Sequence, residues 1–209
     1  MIKLDPSAVG FLQRTFFGEH FVTTDSNWAW TRRTFLQTSA MALALAVLPG
    51  LRPQRAAAQA LPVGRLSFLN VWTDERLDVT YRNEAGEYDL DALDDVNNIL
   101  RCHATGEVSV IDVRVLEHVN LVQKKIGGDR EIHIISGYRS PEYNARLVRA
   151  GRRAAKNSLH MQGQAIDIQI PGVHPKVIRQ AALELGYGGI GYYPRSKFVH
   201  LDSGAFRSW

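Results

Sequence analysis

Cysteine is almost absent from this chain: Cys102 stands alone among 209 residues, so no intrachain disulfide can staple the fold in any compartment. A lone thiol of this kind reads as a small buried core residue. The His103 that follows it does not turn a Cys-His dipeptide into a metal motif. A long hydrophobic run is missing too. The most apolar stretch, Ser39 to Leu48, is broken by Pro49-Gly50 and is too short to cross a hydrocarbon core of about 30 Å as a permanent anchor. Nor does one sign of charge dominate. The chain carries 25 basic and 21 acidic residues, of which residues 1–60 hold 6 and 3; the 19 and 18 that remain leave a net of +1. The high overall pI therefore belongs mainly to the first sixty residues and makes no case for nucleic-acid binding.

What is present begins with an address. "TRRTFLQTSAMALALAVLPG" sets Arg32-Arg33 ahead of Phe35-Leu36 and an apolar run, and Ala58-Gln59-Ala60 precedes Leu61. A charged start, an apolar centre and a small-x-small end are the parts of a secretory signal. The T-R-R-x-F-L arrangement resembles a twin-arginine (Tat) signal, which hands folded proteins to the Tat export machinery. Arg52 and Arg55 fit that route, and residues 1–30 form a long lead-in. The expectation is a removable leader over 1–60, a periplasmic location without a permanent membrane anchor, and one folded domain over 61–209.

Within that domain the patterning predicts mixed elements. "RLSFLNVWTDERLDVTYR" alternates around a T-D-E turn and predicts a β-hairpin over about 66–82. "DLDALDDVNNILRCH" carries Leu90, Leu93 and Leu100 at helical spacing, with Val96 or Asn97 between the last two. Asp112 caps a second helix that runs to Lys125 and stops at Gly127-Gly128. "EIHIIS" is a short strand, and Ser140-Pro141 opens a helix to about Ala150. "AIDIQI" is a strand, "HPKVIRQAALELG" a helix and "GIGYYPRSKFVHLD" a second hairpin. The order predicts an α+β fold, a single domain with a largely antiparallel sheet.

Strand parity singles out a group of side chains. In "AIDIQI", Ile166, Ile168 and Ile170 share one face and Asp167 lies on the other. In "KFVHLD", His200 and Asp202 lie on the face away from Val199 and Leu201. His160 and Asp167 flank Gly163 in "SLHMQGQAID", a glycine that gives the backbone room to turn. Such a pair is either a metal-binding or an ordinary hydrogen-bonded one. His160, Asp167 and His200 together are suitable zinc donors, and three protein ligands leave a fourth position open.

The motif S-x-H-x-x-G-x-A-x-D, matched at every specified position by "SLHMQGQAID", is followed by a strand with His-x-Asp and preceded by "SGYRSPEYN". This resembles the zinc D-Ala-D-Ala peptidase family, whose fold is shared with the hedgehog signalling domain. The likeness runs from about Leu66 to Trp209, and "FVHLDSGAFRSW" resembles the ending of an exported bacterial branch. The resemblance implies zinc at His160, Asp167 and His200, with hydrolysis of peptide bonds next to D-alanine in the peptide stems of murein, as a carboxypeptidase or an endopeptidase. It implies that Arg139 faces the substrate, pairing with a carboxylate or a developing oxyanion. Ser158 either donates to the substrate or bonds within its own turn.

The departure from the family lies just before His200. Many relatives carry a glutamate or histidine there as the base; this chain has Lys197 and Phe198, and neither can serve. Asp202, on the face of His200, is the expected replacement base, the competing reading being that it orients His200. Arg146, Arg149, Arg152, Arg153 and Lys156 form a basic cluster, either a solvated face or an attraction for an anionic wall polymer. His103, His118, His133 and His174 are read as ordinary surface or core histidines. Tyr192, Tyr193 and Trp209 belong to the cleft wall or the core. Two other classes stay open: a non-catalytic zinc module that binds cell-wall peptides or a partner protein, and zinc used only for stability.

Overall fold

A computed structural model describes residues 61–209 apart from residue 153. The leader and its twin-arginine motif fall on residues 1–60 and lie outside the described residues. Among the described residues the strands are β1 (Gly64–Asn70), β2 (Glu75–Arg82), β3 (Glu131–Ser136), β4 (Ala165–Gln169), β5 (Gly189–Tyr193), β6 (Phe198–Asp202) and β7 (Arg207–Ser208). The α-helices are α1 (Leu90–Ile99), α2 (Val113–Lys125), α3 (Pro141–Arg149) and α4 (Pro175–Leu185), with a 3-10 turn over Leu159–Gln162. No helix among them is long and apolar enough to cross a membrane.

Each α-helix starts where a side chain satisfies its free amides. Asp89 accepts from the amides of Asp91 and Ala92, Asp112 from Arg114, Ser140 from Tyr143 and His174 from Lys176. Pro141 and Pro175 occupy first-turn positions, where a missing N–H costs nothing.

The strands form one sheet in the order β2-β1-β3-β4-β6-β5-β7. The α+β expectation holds in outline, but the sheet is mixed rather than largely antiparallel. β3 runs parallel to β1 and β7 parallel to β5, whereas the other neighbours are antiparallel. The physical reason is the long crossover between β2 and β3. The chain leaves the edge strand, passes through α1 and α2, and returns beside β1, and a crossover of that length is what a parallel neighbour needs. Residue alternation within a strand carries no record of that return path.

The core sits between the sheet and α1, α2 and α4. Ile166, Ile168, Val199 and Leu201 meet Val96, Val115, Val119, Ile178 and Ala182 in one cluster. That burial fixes the parity of β4 and β6, and so turns Asp167, His200 and Asp202 to the opposite face. The antiparallel register then sets Asp167 directly across from His200 and Ala165 across from Asp202.

Candidate metal centre

Register and turn geometry bring the three expected donors together. Asp167 and His200 are cross-strand neighbours, and the 3-10 turn ahead of β4 delivers His160. Gly163 closes that turn with φ 65°, and a Cβ there would collide with the carbonyl of Val110. Only glycine meets both demands without strain. His160 Nε2 lies 3.2 Å from His200 Nδ1 and 3.3 Å from Asp167 Oδ1, and His200 Nδ1 lies 2.8 Å from Asp167 Oδ1. All three residues are buried.

The far side of each ring is already committed. His160 Nδ1–H donates to the Gly137 carbonyl at 2.8 Å, and His200 Nε2–H donates to Asp202 Oδ2 at 3.1 Å. A carbonyl and an ionised carboxylate only accept, so both inner nitrogens are left facing the same point as Asp167 Oδ1, and each offers a lone pair there when its ring is neutral. Three donor atoms facing one point could hold a metal ion. Tetrahedral zinc with bonds of about 2.0–2.2 Å spaces its ligand atoms roughly 3.3 Å apart; the two edges from His160 have that length, and the His200–Asp167 edge at 2.8 Å is shorter. The electrostatics favour a cation there as well. Burial alone would lower His200, but hydrogen bonds to Asp167 and Asp202, and their charges, raise it to about 9. Burial would raise Asp167, yet His160 and then His200 hold its carboxyl well below the usual range, so it stays ionised.

Asp202 stands behind His200 and not in the cleft. Its side chain is fully buried, and it accepts from His200, from the amides of Gly189 and Gly204 at 2.8 Å, and from Arg207 Nη2 at 2.6 Å and Nη1 at 3.3 Å. Burial pulls its pKa upward, but the His200 N–H and the two amides bring it down to about 2. No oxygen of Asp202 is left to meet a water at the site. Lys197 is exposed in the β5–β6 turn with φ 59°, and Phe198 stacks on Tyr193 at 4.5 Å.

Arg139 is buried beside the triad. It donates to Asn144 Oδ1 and Ser136 Oγ, both at 3.3 Å, and its Nη2 lies 3.8 Å from Asp167 Oδ2. Its Nε is buried with no hydrogen-bond partner among the described residues. Ser158 is buried at the start of the 3-10 turn and makes no side-chain capping bond. Trp209 leans against His200 at 5.4 Å and donates its indole N–H to Tyr193 Oη at 2.9 Å, so these two residues border the site. Tyr192 instead packs on the core and under Arg179. Arg146, Arg149, Arg152 and Lys156 are exposed, and Arg153 lies outside the described residues.

The four other histidines among the described residues divide. His133 pairs with Glu131 and His174 caps α4, as surface roles. His118 is fully buried and donates Nδ1–H to the backbone carbonyl of Asp202 at 3.2 Å. Burial, offset in part by Asp202, lowers it to about 4. His103 stacks on Trp72 with centroids 4.4 Å apart. Nothing in the periodicity of the chain marks either residue; a histidine adjoining the apolar stripe of α2 was the only available signal for His118.

Two histidines and a carboxylate converging on one point go with a match to a family model of the M15 peptidase class, a class of metallopeptidases. The model of the family described as Peptidoglycan L,D-endopeptidase MepK matches residues 58–209, and the chain belongs to that family. It is 35% identical to the Peptidoglycan L,D-endopeptidase MepK of Escherichia coli strain K12 over 178 residues, covering 85% of this chain and 96% of the relative. The relative of the same name from Shigella flexneri gives the same values. The Probable peptidoglycan L,D-endopeptidase MepK of Haemophilus influenzae is 34% identical, covering 85% of this chain and 95% of the relative.

Proposed function

We propose that this protein is a zinc-dependent murein peptidase that cuts a peptide bond within the peptide stems, with His160, Asp167 and His200 as the metal ligands. The observation that carries the reading is the triangle of inner donor atoms with both outer ring nitrogens already committed. Zinc, when bound, supplies Lewis acidity toward a carbonyl and toward water. The protein residues do the rest. Asp202 accepts from His200 and fixes the ring tautomer, so its role is positioning rather than the base role expected for it. Arg139, with its Nη2 3.8 Å from Asp167 Oδ2, sets a positive charge beside the triad for a stem carboxylate or carbonyl oxygen. Ser158, with no capping bond of its own, is available to a substrate main chain. Tyr193 and Trp209 shield the His200 side from water.

The relatives' names specify an L,D-endopeptidase, which supports an endopeptidase acting between an L- and a D-configured residue over a D-Ala-D-Ala carboxypeptidase. A murein substrate implies export, and the paired Arg32-Arg33 supports the twin-arginine route to the periplasm. Replacing both with lysine should leave the precursor in the cytoplasm, and unchanged appearance of periplasmic protein would refute that route alone. The second reading, a zinc-holding module that binds cell-wall peptides without cutting them, is favoured by one observation: Lys197 and Phe198 supply no base and Asp202 is enclosed. Digestion of purified murein, with fragments weighed by mass spectrometry and metal counted in the same sample, separates the two. About one zinc per chain with released peptide fragments supports the peptidase; one zinc with intact stems supports the module.

A further inference from the structure

Trp72 presents a large aromatic face on the β1–β2 turn, 59% exposed, yet it is held from several sides. Its indole N–H donates to the Ile135 carbonyl at 2.8 Å and its backbone N–H to Asn70 Oδ1 at 3.0 Å. Asn70 is itself tied to the carbonyl of Ile99. The ring lies nearly parallel to His103, 7° between planes, and His103 meets Tyr143 edge-on at 5.0 Å. An exposed indole fixed in this way fills no core, so its rigidity has no packing purpose.

The stack stands at the site. Ile135 precedes Ser136, which receives Arg139 and pairs in register with Asp167. Tyr143 lies in the first turn of α3, and its amide donates to Ser140, the helix cap that follows Arg139. Burial, and then the positive charge of Arg139, hold His103 below its usual range, which favours the neutral ring. Beside this wall, Arg139 keeps a buried N–H without a partner among the described residues.

We propose that Trp72 and His103 form a substrate-binding wall for the reaction read above. On that wall the amide plane and aliphatic surface of one stem residue lie, beside the positive charge of Arg139. The proposal rests on the murein peptidase reading. Flat aromatic faces suit amide planes and methylene chains, and a rigid two-ring surface orders its ligand at little entropic cost. The wall touches none of the three metal ligands, so it acts on affinity and not on the metal.

The test uses the zinc-loaded protein and a cross-linked peptide dimer from murein, freed of its glycan. Trp72→Ala and His103→Ala should each raise KM about tenfold, the order that one lost aromatic face produces, with kcat within about twofold. Zinc content and Tm should stay near wild type, and Trp72→Phe should restore most of the affinity. An unchanged KM in folded Trp72→Ala overturns the proposal. So does a rise in KM seen only with dimers that retain their glycan, which would make the wall a sugar platform. Should the wild type leave the dimer intact, calorimetric titration with the same dimer reads affinity directly. Weaker binding by Trp72→Ala then supports the wall while the peptidase reading fails, and no binding by wild type overturns both.

Discussion

Two clusters of buried charge stand on either side of this fold, and they are built on opposite terms. In one, Arg82 donates to Glu117 at 2.7 and 3.1 Å, and Tyr88 adds a third donor to the same carboxylate. Arg82 and Glu117 are almost wholly enclosed, at 3% and 0% side-chain exposure. In the other, His160, Asp167 and His200 turn their electron-rich atoms toward one another, and Arg139 leaves an N–H unpaired. The first cluster closes on itself and asks for nothing further. The second is satisfied behind, through Gly137 and Asp202, and in front its three donor atoms meet only one another. That asymmetry separates a structural network from a site.

The largest effect should come from the open cluster. His160→Ala or His200→Ala should lose most of the bound zinc and reduce murein cleavage by 10³-fold or more, on the order expected when a catalytic metal is removed, while the chain stays folded. Full zinc retention in both variants would place the metal elsewhere. The closed cluster should respond the other way. Glu117→Ala strands a buried guanidinium and should cost about 3–5 kcal/mol of stability by chemical denaturation, with zinc stoichiometry unchanged in the protein that remains folded. Joint replacement of Arg82 by Met and Glu117 by Leu should recover much of that loss. A joint variant as unstable as the single one would contradict the closed-network view.

Asp202 joins the two kinds of cluster, being closed itself yet holding an open ligand. Asp202→Asn should weaken zinc affinity by about 10–100-fold in a chelator competition, because His200 loses its orienting acceptor. Unaltered zinc affinity with hydrolysis reduced by about 10²–10⁴ would instead restore Asp202 as the proton acceptor. The smallest effect belongs to His118. Its pKa of about 4 in the fold lies below the ordinary 6.5, so the unfolded chain binds the extra proton between those values. The stability it contributes is present above about pH 6.5 and is lost as pH falls toward 4. Moving from pH 7.5 to 5.5 should cost about 1 kcal/mol through this residue. His118→Leu should have a shallower stability–pH slope than wild type over that range, and an identical slope would remove His118 as the cause.

The two halves of the site were not equally legible in the chain. Alternating isoleucines in β4 and the aliphatic pair in β6 state which face is core, so the polar face holding Asp167 and His200 follows from period alone. The spacing of His160, Gly163 and Asp167 is local and survives in the fold. Contacts that depend on return paths leave no such trace. Parallel pairing of β1 with β3 depends on where the crossover lands, and the enclosure of Asp202 depends on Gly189, Gly204 and Arg207 closing around it. The pairing of Trp72 with His103 joins a hairpin turn to a loop far along the chain, and no periodicity links them. Asp202 shows the difference most sharply: parity places it on the face of His200, and only the returning tail encloses it behind that histidine.

The most direct test of the central claim is the mass of the peptides released when the zinc-loaded protein is incubated with purified murein. The account predicts fragments that differ from the intact stems by one hydrolysed peptide bond, cut between an L- and a D-configured residue, and none after His200→Ala. Stems recovered intact from a preparation carrying a full complement of zinc would contradict it.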